Sequence, residues 1–398
     1  MKYEKKKLLH IITSIDNGGA ENHLRDLISR QVNTYDVFLI YFKGSNYHKD
    51  DLVSKGVKVF KIRFLNKNIF IFVIKFLLVL KIFKNIKPDI VHCHLWISEL
   101  YGLFLKLIYR KSFLLIVTKH LDSFFFEGSY GLKNFIRGIF IERIIFYYTD
   151  HVIFISKVVK KFFLKKIYII KKKYSVIYYG INLKKFVKLN SKKKMNLKKK
   201  LSIDNKTFVL GCIARHVEQK SLDIIIKSFS LFVQKNPNIK AKLIMIGKGH
   251  LESELKQLAK DLNINKKIIW INYTDNINLY FNIFDMFCLS SRYEGLGLVL
   301  LESLASGVPI LATRSGAIPE IIINKKNGYL VKYGDINNFS KRIIDTLKLS
   351  KKVTFKKSLS NLKNLFSLDR VFMATDKAYR KARVINSLNE SFKNSLHN

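Results

Sequence analysis

Short apolar runs alternate along the chain with longer stretches in which apolar residues recur at helical spacing. The runs fall into two series. The first comprises LLHIITSI, YDVFLIYF, DIVHCHL, FLLIVTKH, HVIFIS and YSVIYYG, and the second comprises TFVLGCIA, KAKLIMIG, KKIIWIN, MFCLSS, VPILAT and NGYLV. Buried strands that alternate with helices are typical of parallel sheets with helices on both faces. The pattern therefore predicts an α/β protein with two parallel-sheet domains, one for each series.

A polar, lysine-rich segment, VKLNSKKKMNLKKKLSIDNKT, separates the two series at residues 187–207, and its MNLKKKL part could form a short helix. We place the boundary at the start of this segment, with an N-terminal domain at residues 1–186 and a C-terminal domain at residues 187–368. The remaining residues, 369–398, show helical periodicity and no strand-like run. They form a C-terminal helical segment that either closes the second domain or crosses back to the first.

The most apolar stretch, IFIFVIKFLLVLKIF at residues 69–83, is shorter than a bilayer span and contains Lys75 and Lys81. It predicts an amphipathic or buried helix, or one that lies in a membrane interface. The N-terminal MKYEKKKLLHIITSI is followed by Asp-Asn-Gly-Gly and not by a small-residue cleavage site. We therefore expect a buried strand that ends in a glycine turn, no secretion signal and a cytoplasmic location.

Cationic side chains greatly outnumber acidic ones, with 72 Lys and Arg against 29 Asp and Glu and a formal net charge of +43. Such an excess indicates attraction to nucleic acid or to an anionic membrane, unless it reflects only a composition rich in Lys, Ile and Asn. The basic residues are spread along the chain without a helix-turn-helix, zinc-finger or RNP-like run, which argues against nucleic acid. Three widely separated cysteines argue against a disulfide framework or a zinc site with paired ligands, and indicate a reducing compartment.

Polar residues that follow the predicted strands are the first candidates for chemistry, because ligands of open parallel sheets bind outside the carboxyl ends of the strands. These positions are taken by Gly18, Gly19, His92, His94, His120, Arg215, Gly247, Gly249 and Glu294. The loops that carry them are therefore the predicted location of the functional groups.

Residues 292–309, RYEGLGLVLLESLASGVP, place Glu294 and Glu302 on either side of a Gly-Leu-Gly loop. Gly297 allows the backbone to turn tightly and to approach a ligand closely. Good helix formers follow, so the sequence predicts a helix that starts near Leu298 and points its first N–H groups at an anion such as a diphosphate. Glu302 would then reach a ribose diol and Glu294 a sugar, although both acids could equally be a loop charge and a solvated helix residue.

A second segment, ARHVEQKSLDIIIKSF at residues 214–229, places Arg215 at a strand end and Lys220 just before a predicted helix. Two cations at the mouth of a crevice would neutralise a leaving diphosphate, the group whose charge grows during glycosyl transfer. The alternative is that they are two ordinary cations in a basic chain.

Three segments, in this order, resemble the donor half of a glycosyltransferase family 4 enzyme: GCIARHVEQKSLDIIIKSF, LIMIGKGHLESELKQLA and DMFCLSSRYEGLGLVLLESLASGVPILATRSGAIPEII. The N-terminal half matches more loosely, in ITSIDNGGAENHL, PDIVHCHLW, VTKHLDSF, VIFISK and VIYYGIN. The resemblance covers nearly the whole chain. It implies the GT-B fold, in which two Rossmann-like domains face each other across a cleft, and a retaining enzyme that needs neither a cofactor nor a metal. No Asp-x-Asp triad of the kind that binds a metal in other glycosyltransferases occurs.

The resemblance also assigns roles in the donor half. Arg215 and Lys220 match the cations that bind the donor diphosphate. Glu302 matches the acid that binds the nucleotide ribose, and Glu294 matches the acid at the donor sugar. One departure concerns the turn around Lys220, where many relatives have Glu-Lys-Gly and this chain has Gln-Lys-Ser. The cation is kept, so the departure puts only the local turn geometry in doubt.

Further roles follow from the resemblance in the same way. Gly19 matches a glycine-loop position that faces the phosphates, and His120 matches a histidine near the donor sugar, counted with the catalytic residues. The alternative for His120 is a hydrogen-bonded histidine at a strand end. His94 is a candidate for acceptor binding, although it and His92 are more typical of structural histidines. Three more positions are donor-binding candidates: Gly247, Gly297 and Leu298.

The resemblance therefore implies a hexosyltransferase-type glycosyltransferase (EC 2.4) that moves a sugar from a nucleotide-diphosphate donor to a hydroxyl of a glycan or lipid-linked acceptor. Bacterial cell-surface polysaccharide or lipopolysaccharide biosynthesis is the expected setting, in the cytoplasm or at the inner face of the plasma membrane. Two alternatives stay open: a sugar-nucleotide epimerase of the GT-B fold, and a basic membrane- or nucleic-acid-binding protein without catalysis.

Overall fold

The computed structural model describes residues 4–16, 18–63, 69–110, 112–120, 132–165, 167, 173–186, 188–349 and 365–395. The chain divides into two compact units. The N-terminal unit comprises Met1–Gly180 and Leu368–Asn398, and the C-terminal unit comprises Ile181–Ser367.

The described residues of the N-terminal unit form a parallel sheet of seven strands, in the order β3-β2-β1-β4-β5-β6-β7. Its strands are β1 Lys6–Ser14, β2 Tyr35–Lys43, β3 Lys58–Lys61, β4 Ile90–His94, β5 Leu114–Lys119, β6 His151–Phe154 and β7 Tyr174–Val176. Its helices up to this point of the chain are α1 Gly19–Gln31, α2 Lys49–Ser54, α3 Ile69–Ile86, α4 Trp96–Tyr109, α5 Leu132–Tyr148 and α6 Lys157–Leu164.

The C-terminal unit has a second parallel sheet, in the order β10-β9-β8-β11-β12-β13. Its strands are β8 Phe208–Ile213, β9 Ala241–Ile246, β10 Ile268–Ile271, β11 Met286–Leu289, β12 Ile310–Thr313 and β13 Gly328–Val331. Its helices are α7 Ser191–Lys200, α8 Leu222–Lys235, α9 Glu252–Asp261, α10 Ile277–Phe281, α11 Leu298–Ala305, α12 Ile318–Ile321 and α13 Ile336–Leu349.

The prediction of two parallel sheets with helices is confirmed, and each of the twelve apolar runs contains a strand. The pattern missed β3, a short edge strand with the sequence KVFK that pairs only with β2. Lysines at both of its ends weaken the hydrophobic signal, which an edge strand can tolerate because one side of its backbone faces no other strand. The apolar stretch at residues 69–83 lies within helix α3, and no helix among the described residues is long and apolar enough to cross a membrane.

The last helix, α14 Leu368–Ser395, belongs to the N-terminal unit. Its apolar face, including Val371 and Tyr379, joins the hydrophobic core around α1 and β2. The Tyr35 hydroxyl also donates to the Asp376 carboxylate at 2.5 Å. Of the two placements that the sequence left open, the structure therefore has the segment pack on the first domain.

The predicted boundary after residue 186 lies a few residues too late. Ile181 pairs with Ser367 in an isolated parallel bridge, and the Asn278 side chain donates to the Lys185 carbonyl at 3.0 Å. These contacts tie the segment that follows Gly180 to the C-terminal unit, so the first crossing lies at 180/181 and the second at 367/368. Polar composition marked the lysine-rich segment, but the preceding residues are fixed by contacts that leave no compositional trace.

Each sheet has one position at which the strand order reverses. In the N-terminal unit this position lies between β1 and β4, and in the C-terminal unit between β8 and β11. Ligands of doubly wound sheets bind outside the carboxyl ends of the strands at such a position. The loops that follow these four strands are therefore the places where functional side chains are expected.

Candidate functional site

In the C-terminal unit, the loops after β8 and β11 bring Lys220 and Glu294 together. The Lys220 Nζ lies 2.6 Å from Glu294 Oε2, and the Ser291 hydroxyl donates to the same oxygen at 3.2 Å. The Glu294 residue is only 9% exposed. A buried carboxylate needs a cation and hydrogen-bond donors, and this one has both. Two residues far apart in sequence thus form one charged pair at the reversal of strand order.

Gln219 joins the same two loops beside Arg215. The Arg215 guanidinium donates to the Gln219 side-chain oxygen at 3.3 Å, and the Gln219 amide nitrogen donates to the Tyr293 carbonyl at 3.1 Å. The Arg292 N–H in turn donates to the Gln219 carbonyl at 2.8 Å. Sequence reasoning singled out Gln219 only as a departure from the usual motif, and the structure shows it as the link between Arg215 and the Glu294 loop.

The Gln-Lys-Ser turn keeps the backbone geometry that a glycine would give. Ser221 lies in the left-handed region, with φ 45° and ψ 49°. Its hydroxyl donates to the Glu218 carbonyl and shares a hydrogen bond with the Tyr333 hydroxyl, both at 3.0 Å. The Ser290 hydroxyl lies 2.8 Å from the carbonyls of both Lys220 and Ser221. These bonds offset the strain of a side chain at positive φ.

A third loop, after β12, packs against the backbone of Glu294. Gly316 has a φ of +48°, and a Cβ at this position would overlap the Glu294 carbonyl oxygen. The Ala317 N–H donates to that oxygen at 2.9 Å, and the Ser315 hydroxyl donates to the Ser291 carbonyl at 2.6 Å. This loop was not predicted as part of the site, although the glycine within RSGAIP is the sequence feature that indicates a tight backbone contact there.

Helix α11 begins at Leu298, so the predicted helix start is confirmed. Gly297 precedes it with φ 84°, a conformation that favours glycine. The first N–H groups of a helix have no partner within the helix and form an anion-binding end. Glu302 lies further along α11 and is partly exposed. The donor-binding roles of these residues stay predictions.

Gly247 and Gly249 have a packing reason to be glycine. Gly247 has a φ of 144°, and a Cβ there would overlap the Ala214 carbonyl oxygen, while a Cβ at Gly249 would overlap that of His216. The His216 N–H donates to the Lys248 carbonyl at 2.9 Å. The loop after β9 therefore lies directly against the backbone on either side of Arg215. This contact accounts for the two glycines without a ligand, so the donor-binding role of Gly247 stays a prediction.

In the N-terminal unit, Gly19 is the first residue of α1, which follows β1. It is exposed, and a Cβ there would meet no atom within 4 Å. The Ser14 hydroxyl, at the end of β1, donates to Glu21 in the first turn of the helix at 2.8 Å. The glycine thus lies at a helix start beside the reversal of strand order, and its role towards the phosphates stays a prediction.

His94 and His120 lie at the carboxyl ends of the neighbouring strands β4 and β5 and contact each other. The His94 Nδ1 lies 3.2 Å from the His120 Nε2, and the His120 Nδ1 lies 2.6 Å from the Tyr179 hydroxyl. All of these side chains are buried. Burial lowers the pKa of His120 to about 3 and that of His94 well below its usual range, so both rings are neutral at pH 7.

His10, which was not predicted as a functional residue, lies inside β1 opposite His92 of β4. Nitrogens of His10, His92 and His94 lie within 4.8 Å of one another, a grouping that could hold a metal ion. Each of these ring nitrogens, however, has a hydrogen-bond partner in the protein. His92 and His94 alternate along β4 and so lie on one face of the sheet, but nothing in the sequence shows that His10 of β1 lies beside them.

A buried ion cluster lies next to His120. Lys119, the last residue of β5, pairs with Glu99 and, at 2.6 Å, with Glu142. Burial raises the pKa of Glu99 to about 7, against the opposing effect of Lys119. Nothing in the linear sequence marks these acids, which come from α4 and α5, as partners of a strand lysine.

Two family models match the chain. One, described as glycosyl transferases group 1, matches residues 193–373, and the other, glycosyltransferase family 4, matches residues 17–185. The first covers the segments around Arg215 and Glu294, and the second covers those around Gly19 and His120. The two matches together leave only the ends of the chain and a short central segment uncovered.

Among the curated relatives is an N-acetyl-alpha-D-glucosaminyl L-malate synthase of Bacillus anthracis, 34% identical over 32% of this chain and 33% of its own length. Another is a GDP-mannose-dependent monoacylated phosphatidylinositol monomannoside mannosyltransferase of Corynebacterium glutamicum, 33% identical over 42% of this chain and 45% of its own. The matches thus span one third to one half of these relatives. Further relatives are named for capsular polysaccharide biosynthesis in Staphylococcus aureus and lipopolysaccharide core biosynthesis in Rhizobium meliloti.

Solved structures match over nearly the whole chain. The crystal structure of Anabaena HepE in complex with UDP and glucose has a TM-score of 0.78 and 19% sequence identity, and the match covers 94% of this chain and 98% of HepE. At this identity the likeness establishes the fold, which is that of the GT-B glycosyltransferases.

Proposed function

We propose that this protein, which matches the group 1 and family 4 glycosyltransferase models over residues 193–373 and 17–185, transfers a sugar from a nucleotide-diphosphate donor to a hydroxyl group and retains the configuration of the anomeric carbon. The observation that carries this proposal is the meeting of Arg215, Lys220 and Glu294 at the strand-order reversal of the C-terminal unit. Relatives in bacterial capsule and lipopolysaccharide biosynthesis support a glycan or lipid-linked acceptor.

The proposed donor site uses two kinds of positive charge. Arg215 and Lys220 provide full charges on one loop, and the start of α11 provides partial charge from its first N–H groups. A diphosphate would take the Lys220 ammonium as a partner alongside Glu294, whose second oxygen can accept bonds from sugar hydroxyls. Glu302, further along α11, would hold the ribose diol. The hydrogen bonds of Gln219, and the close packing of Gly316 against the Glu294 backbone, hold these loops in place before a donor binds. Electrostatic stabilisation of a transition state requires such fixed groups.

In the proposed reaction the acceptor oxygen attacks the anomeric carbon on the face from which the diphosphate departs. The bond from the anomeric carbon to the diphosphate oxygen breaks, the bond to the acceptor oxygen forms, and the acceptor proton passes to an oxygen of the leaving diphosphate. Negative charge grows on the diphosphate as this happens, beside Arg215 and Lys220. In other glycosyltransferases a divalent metal neutralises the leaving diphosphate, and here these cations would do so. We therefore propose turnover without a metal or other cofactor.

Two different donor bases occur among the similar proteins. The corynebacterial relative is named for GDP-mannose, whereas Anabaena HepE was crystallised with UDP. A match to the group 1 model therefore does not determine the base here. We propose that INYTDN at residues 271–276, which begins at the last residue of β10, contacts the base. Main-chain groups of such a loop would form the hydrogen bonds to the base. The identities of its side chains therefore carry little information about which base is bound.

A surface of the N-terminal unit fits a lipid-linked acceptor. Helices α3, α4 and α5 pack side by side, with the Phe76 and Phe104 rings 5.5 Å apart. They expose an apolar patch, which consists of Val73, Leu77, Leu78, Phe104, Leu107, Ile108, Phe140 and Tyr147. Exposed cations on or beside the same helices are Lys81, Lys84, Arg110 and Arg143. Apolar and basic side chains together bind anionic membrane interfaces, so we propose that this patch holds the enzyme at the membrane.

Pelleting with vesicles tests the membrane proposal. The wild-type protein should pellet with vesicles of phosphatidylglycerol and phosphatidylcholine at low salt, and a Leu77→Glu, Leu107→Glu variant should not. A matched control is Val384→Glu, because Val384 is as exposed as Leu77 but lies on α14. Equal pelleting of the patch variant and the control would remove the membrane proposal and leave the transferase untouched.

Release of nucleoside diphosphate tests the transferase proposal itself. Donor sugars of UDP, GDP and ADP are incubated with undecaprenyl-diphosphate-linked saccharides in EDTA. We expect one of the donors to release its nucleoside diphosphate, and to do so only when an acceptor is present. In the product, the NMR coupling constant of the anomeric proton should show the same anomeric configuration as in the donor. Release without an acceptor, together with a changed sugar, would identify an epimerase, and an inverted product would overturn retention.

A further inference from the structure

We propose that an unbroken hydrogen-bonded chain through four buried histidines of the N-terminal unit fixes the ring of His120, with Gln31 and Tyr379 as positioning residues at its centre. The role given to His120 at the donor sugar rests on the proposed function, whereas the state of the chain itself does not. The groups, in order, are Tyr179, His120, His94, His10, Gln31, Tyr379, His92 and Thr118.

The first half of the chain runs across three neighbouring strands. The Tyr179 hydroxyl lies 2.6 Å from His120 Nδ1, and His120 Nε2 lies 3.2 Å from His94 Nδ1. His94 Nε2 lies 3.1 Å from His10 Nδ1, and His10 Nε2 lies 2.9 Å from the Gln31 side-chain oxygen. Each histidine therefore uses one nitrogen towards each neighbour, and the chain passes from β5 through β4 to β1 and then to α1.

The second half returns to the sheet through the C-terminal helix. The Gln31 amide nitrogen donates to the Tyr379 hydroxyl at 3.1 Å. That hydroxyl lies 2.7 Å from His92 Nδ1, and His92 Nε2 lies 2.7 Å from the Thr118 hydroxyl. Helix α14 thus contributes a link that no residue of the first 180 provides.

The side-chain amide of Gln31 gives the first half of the chain a direction. Its oxygen can only accept, so His10 Nε2 must carry the hydrogen. A neutral ring has one N–H, and therefore His10 Nδ1 accepts from His94 Nε2. The same reasoning makes His94 Nδ1 accept from His120 Nε2 and makes His120 Nδ1 accept from the Tyr179 hydroxyl. All three rings are then Nε2–H tautomers.

The other half takes its direction from the amide nitrogen of Gln31. Because this nitrogen donates to the Tyr379 oxygen, the single hydrogen of the Tyr379 hydroxyl is directed at His92 Nδ1. His92 therefore holds its hydrogen on Nε2 and donates it to Thr118. Every link joins one donor to one acceptor, and the fourth histidine has the same tautomer as the other three.

Neutral rings are essential to this arrangement. A second hydrogen on any of the four rings would place two donors face to face at one link. Burial lowers the pKa of His10 to about 4 and that of His92 well below its usual range, in keeping with a neutral chain. Both nitrogens of His120 also bond to groups of the protein, His94 and Tyr179. The ring is therefore held neutral in one orientation, and neither nitrogen is available to exchange a proton with a substrate. The structure therefore favours a positioning role over acid or base catalysis for His120.

The chain also explains the metal-like grouping of His10, His92 and His94. Their nitrogens lie close together because they alternate along one hydrogen-bonded path. A metal ion would have to displace several of these bonds, and the arrangement is complete without it. Zinc binding is therefore the outcome that contradicts the proposal most simply.

Nitrogen-15 NMR of the full-length protein, labelled at histidine, tests the chain directly. At pH 7 the account expects the Nε2–H tautomer at His10, His92, His94 and His120, with no change when zinc chloride is added. An Nδ1–H tautomer or a charged ring at any of the four would overturn it, and so would a zinc-dependent shift. This measurement needs no donor or acceptor, so it stands even if the protein transfers no sugar.

Two variants test the positioning role. Gln31→Met removes the acceptor of His10, so His10, His94 and His120 should each show a mixture of tautomers. Tyr379→Phe should release only His92, because Gln31 still accepts from His10. Tyr35→Phe is the matched control. The Tyr35 hydroxyl bonds to Asp376, which lies on α14 as Tyr379 does, but it is not part of the hydrogen-bonded chain of histidines.

The kinetic expectation separates positioning from general stability. Gln31→Met should lower kcat by roughly tenfold at little changed KM, as when the partner that orients an imidazole is removed. The control should retain both constants. Mixed tautomers with an unchanged kcat would overturn the positioning role while sugar transfer stands, and a wild-type protein without turnover would overturn the proposed function while the NMR result stands.

Discussion

The two units use opposite chemistry at equivalent places in their sheets. At the strand-order reversal of the C-terminal unit, Arg215, Lys220 and Glu294 carry full charges on loops. At the reversal of the N-terminal unit, His10, His92, His94 and His120 are buried and neutral, and they bond to one another. The difference shows that the same position in two doubly wound sheets holds charged side chains on loops in one unit and buried, uncharged rings in the other.

Removal of a cation from the C-terminal unit should have the largest effect. Arg215→Ala and Lys220→Ala should each lower kcat by a factor of roughly 100 or more, the effect of losing a group that stabilises developing charge. Lys220→Ala also leaves Glu294 buried without its cation, so the melting temperature must be measured beside turnover. Lys227→Ala is the control, because Lys227 lies on α8 with an exposed partner, Asp223. Near-normal turnover of both alanine variants would contradict the role of Arg215 and Lys220 in stabilising the leaving diphosphate.

The loop behind Glu294 offers a sharper test, because it changes geometry without removing a charge. Gly316→Ala should lower turnover at least tenfold, on the order of what misplacement of a catalytic group costs, since a Cβ there overlaps the Glu294 carbonyl. Gly334→Ala is the control: its φ is also positive, at +82°, but a Cβ would meet nothing within 4 Å. Both should lose about 1–2 kcal/mol of stability from left-handed strain, and Gly316→Ala should lose more than Gly334→Ala because its Cβ also overlaps the backbone of Glu294. Equal turnover in the two variants would show that the loop does not position Glu294.

Acid should destabilise the N-terminal unit more than the C-terminal unit. Burial lowers the pKa of His10, and of the buried His23 on α1, to about 4, and that of His120 to about 3. Between pH 6.5 and about 4 the unfolded rings bind protons that the folded rings do not, so stability falls as pH falls. Glu99 acts in the opposite sense, because burial raises its pKa to about 7 and the folded carboxyl takes up its proton first.

The histidines outnumber that one acid, so the net effect is a loss. Hydrogen exchange at pH 7 and pH 5, corrected for intrinsic rates, should show protection lost in β1, β4 and β5 before β8 and β9. Equal loss of protection in the two sheets would contradict the contrast between a neutral and a charged unit.

The smallest effect is expected at Ser221. Ser221→Ala keeps the left-handed strain and loses the bonds to Glu218 and Tyr333, whereas Ser221→Gly loses the bonds but relieves the strain. Alanine should therefore be the less stable of the two by about 1 kcal/mol in urea unfolding. A glycine variant that is less stable than the alanine variant would show that strain at this turn is negligible.

The same contrast explains what the sequence could and could not predict. Residues 214–229 and 292–309 each hold several functional groups in one stretch, so their spacing alone located the charged site and the start of α11. The histidine chain draws on five strands and helices and reaches Tyr379, so no local pattern contains it. His10 in particular stands inside the apolar run of β1, LLHIITSI, so the sequence does not distinguish it from an ordinary core position.

The fold was predictable for a related reason. Strands of parallel sheets covered by helices read as continuous apolar runs, and twelve of the thirteen strands among the described residues overlap such runs. The exception, β3, is an edge strand, and the placement of α14 depends on the packing of Val371 and Tyr379 in the N-terminal core. Supports such as Gly316 and Gln219 act through backbone contacts between loops, which become visible only once the sheet order is known.

The most direct test of the central claim, that the C-terminal unit binds a nucleotide diphosphate, is a thermal-shift screen against UDP, GDP and ADP in EDTA. The account predicts that one of them, at 100 times its dissociation constant, stabilises the protein by about 2.7 kcal/mol. Glu302→Ala should lose this shift, while Glu254→Ala, an exposed acid on α9, should keep it. No shift with any of the three, or an equal shift in Glu302→Ala, would contradict the account.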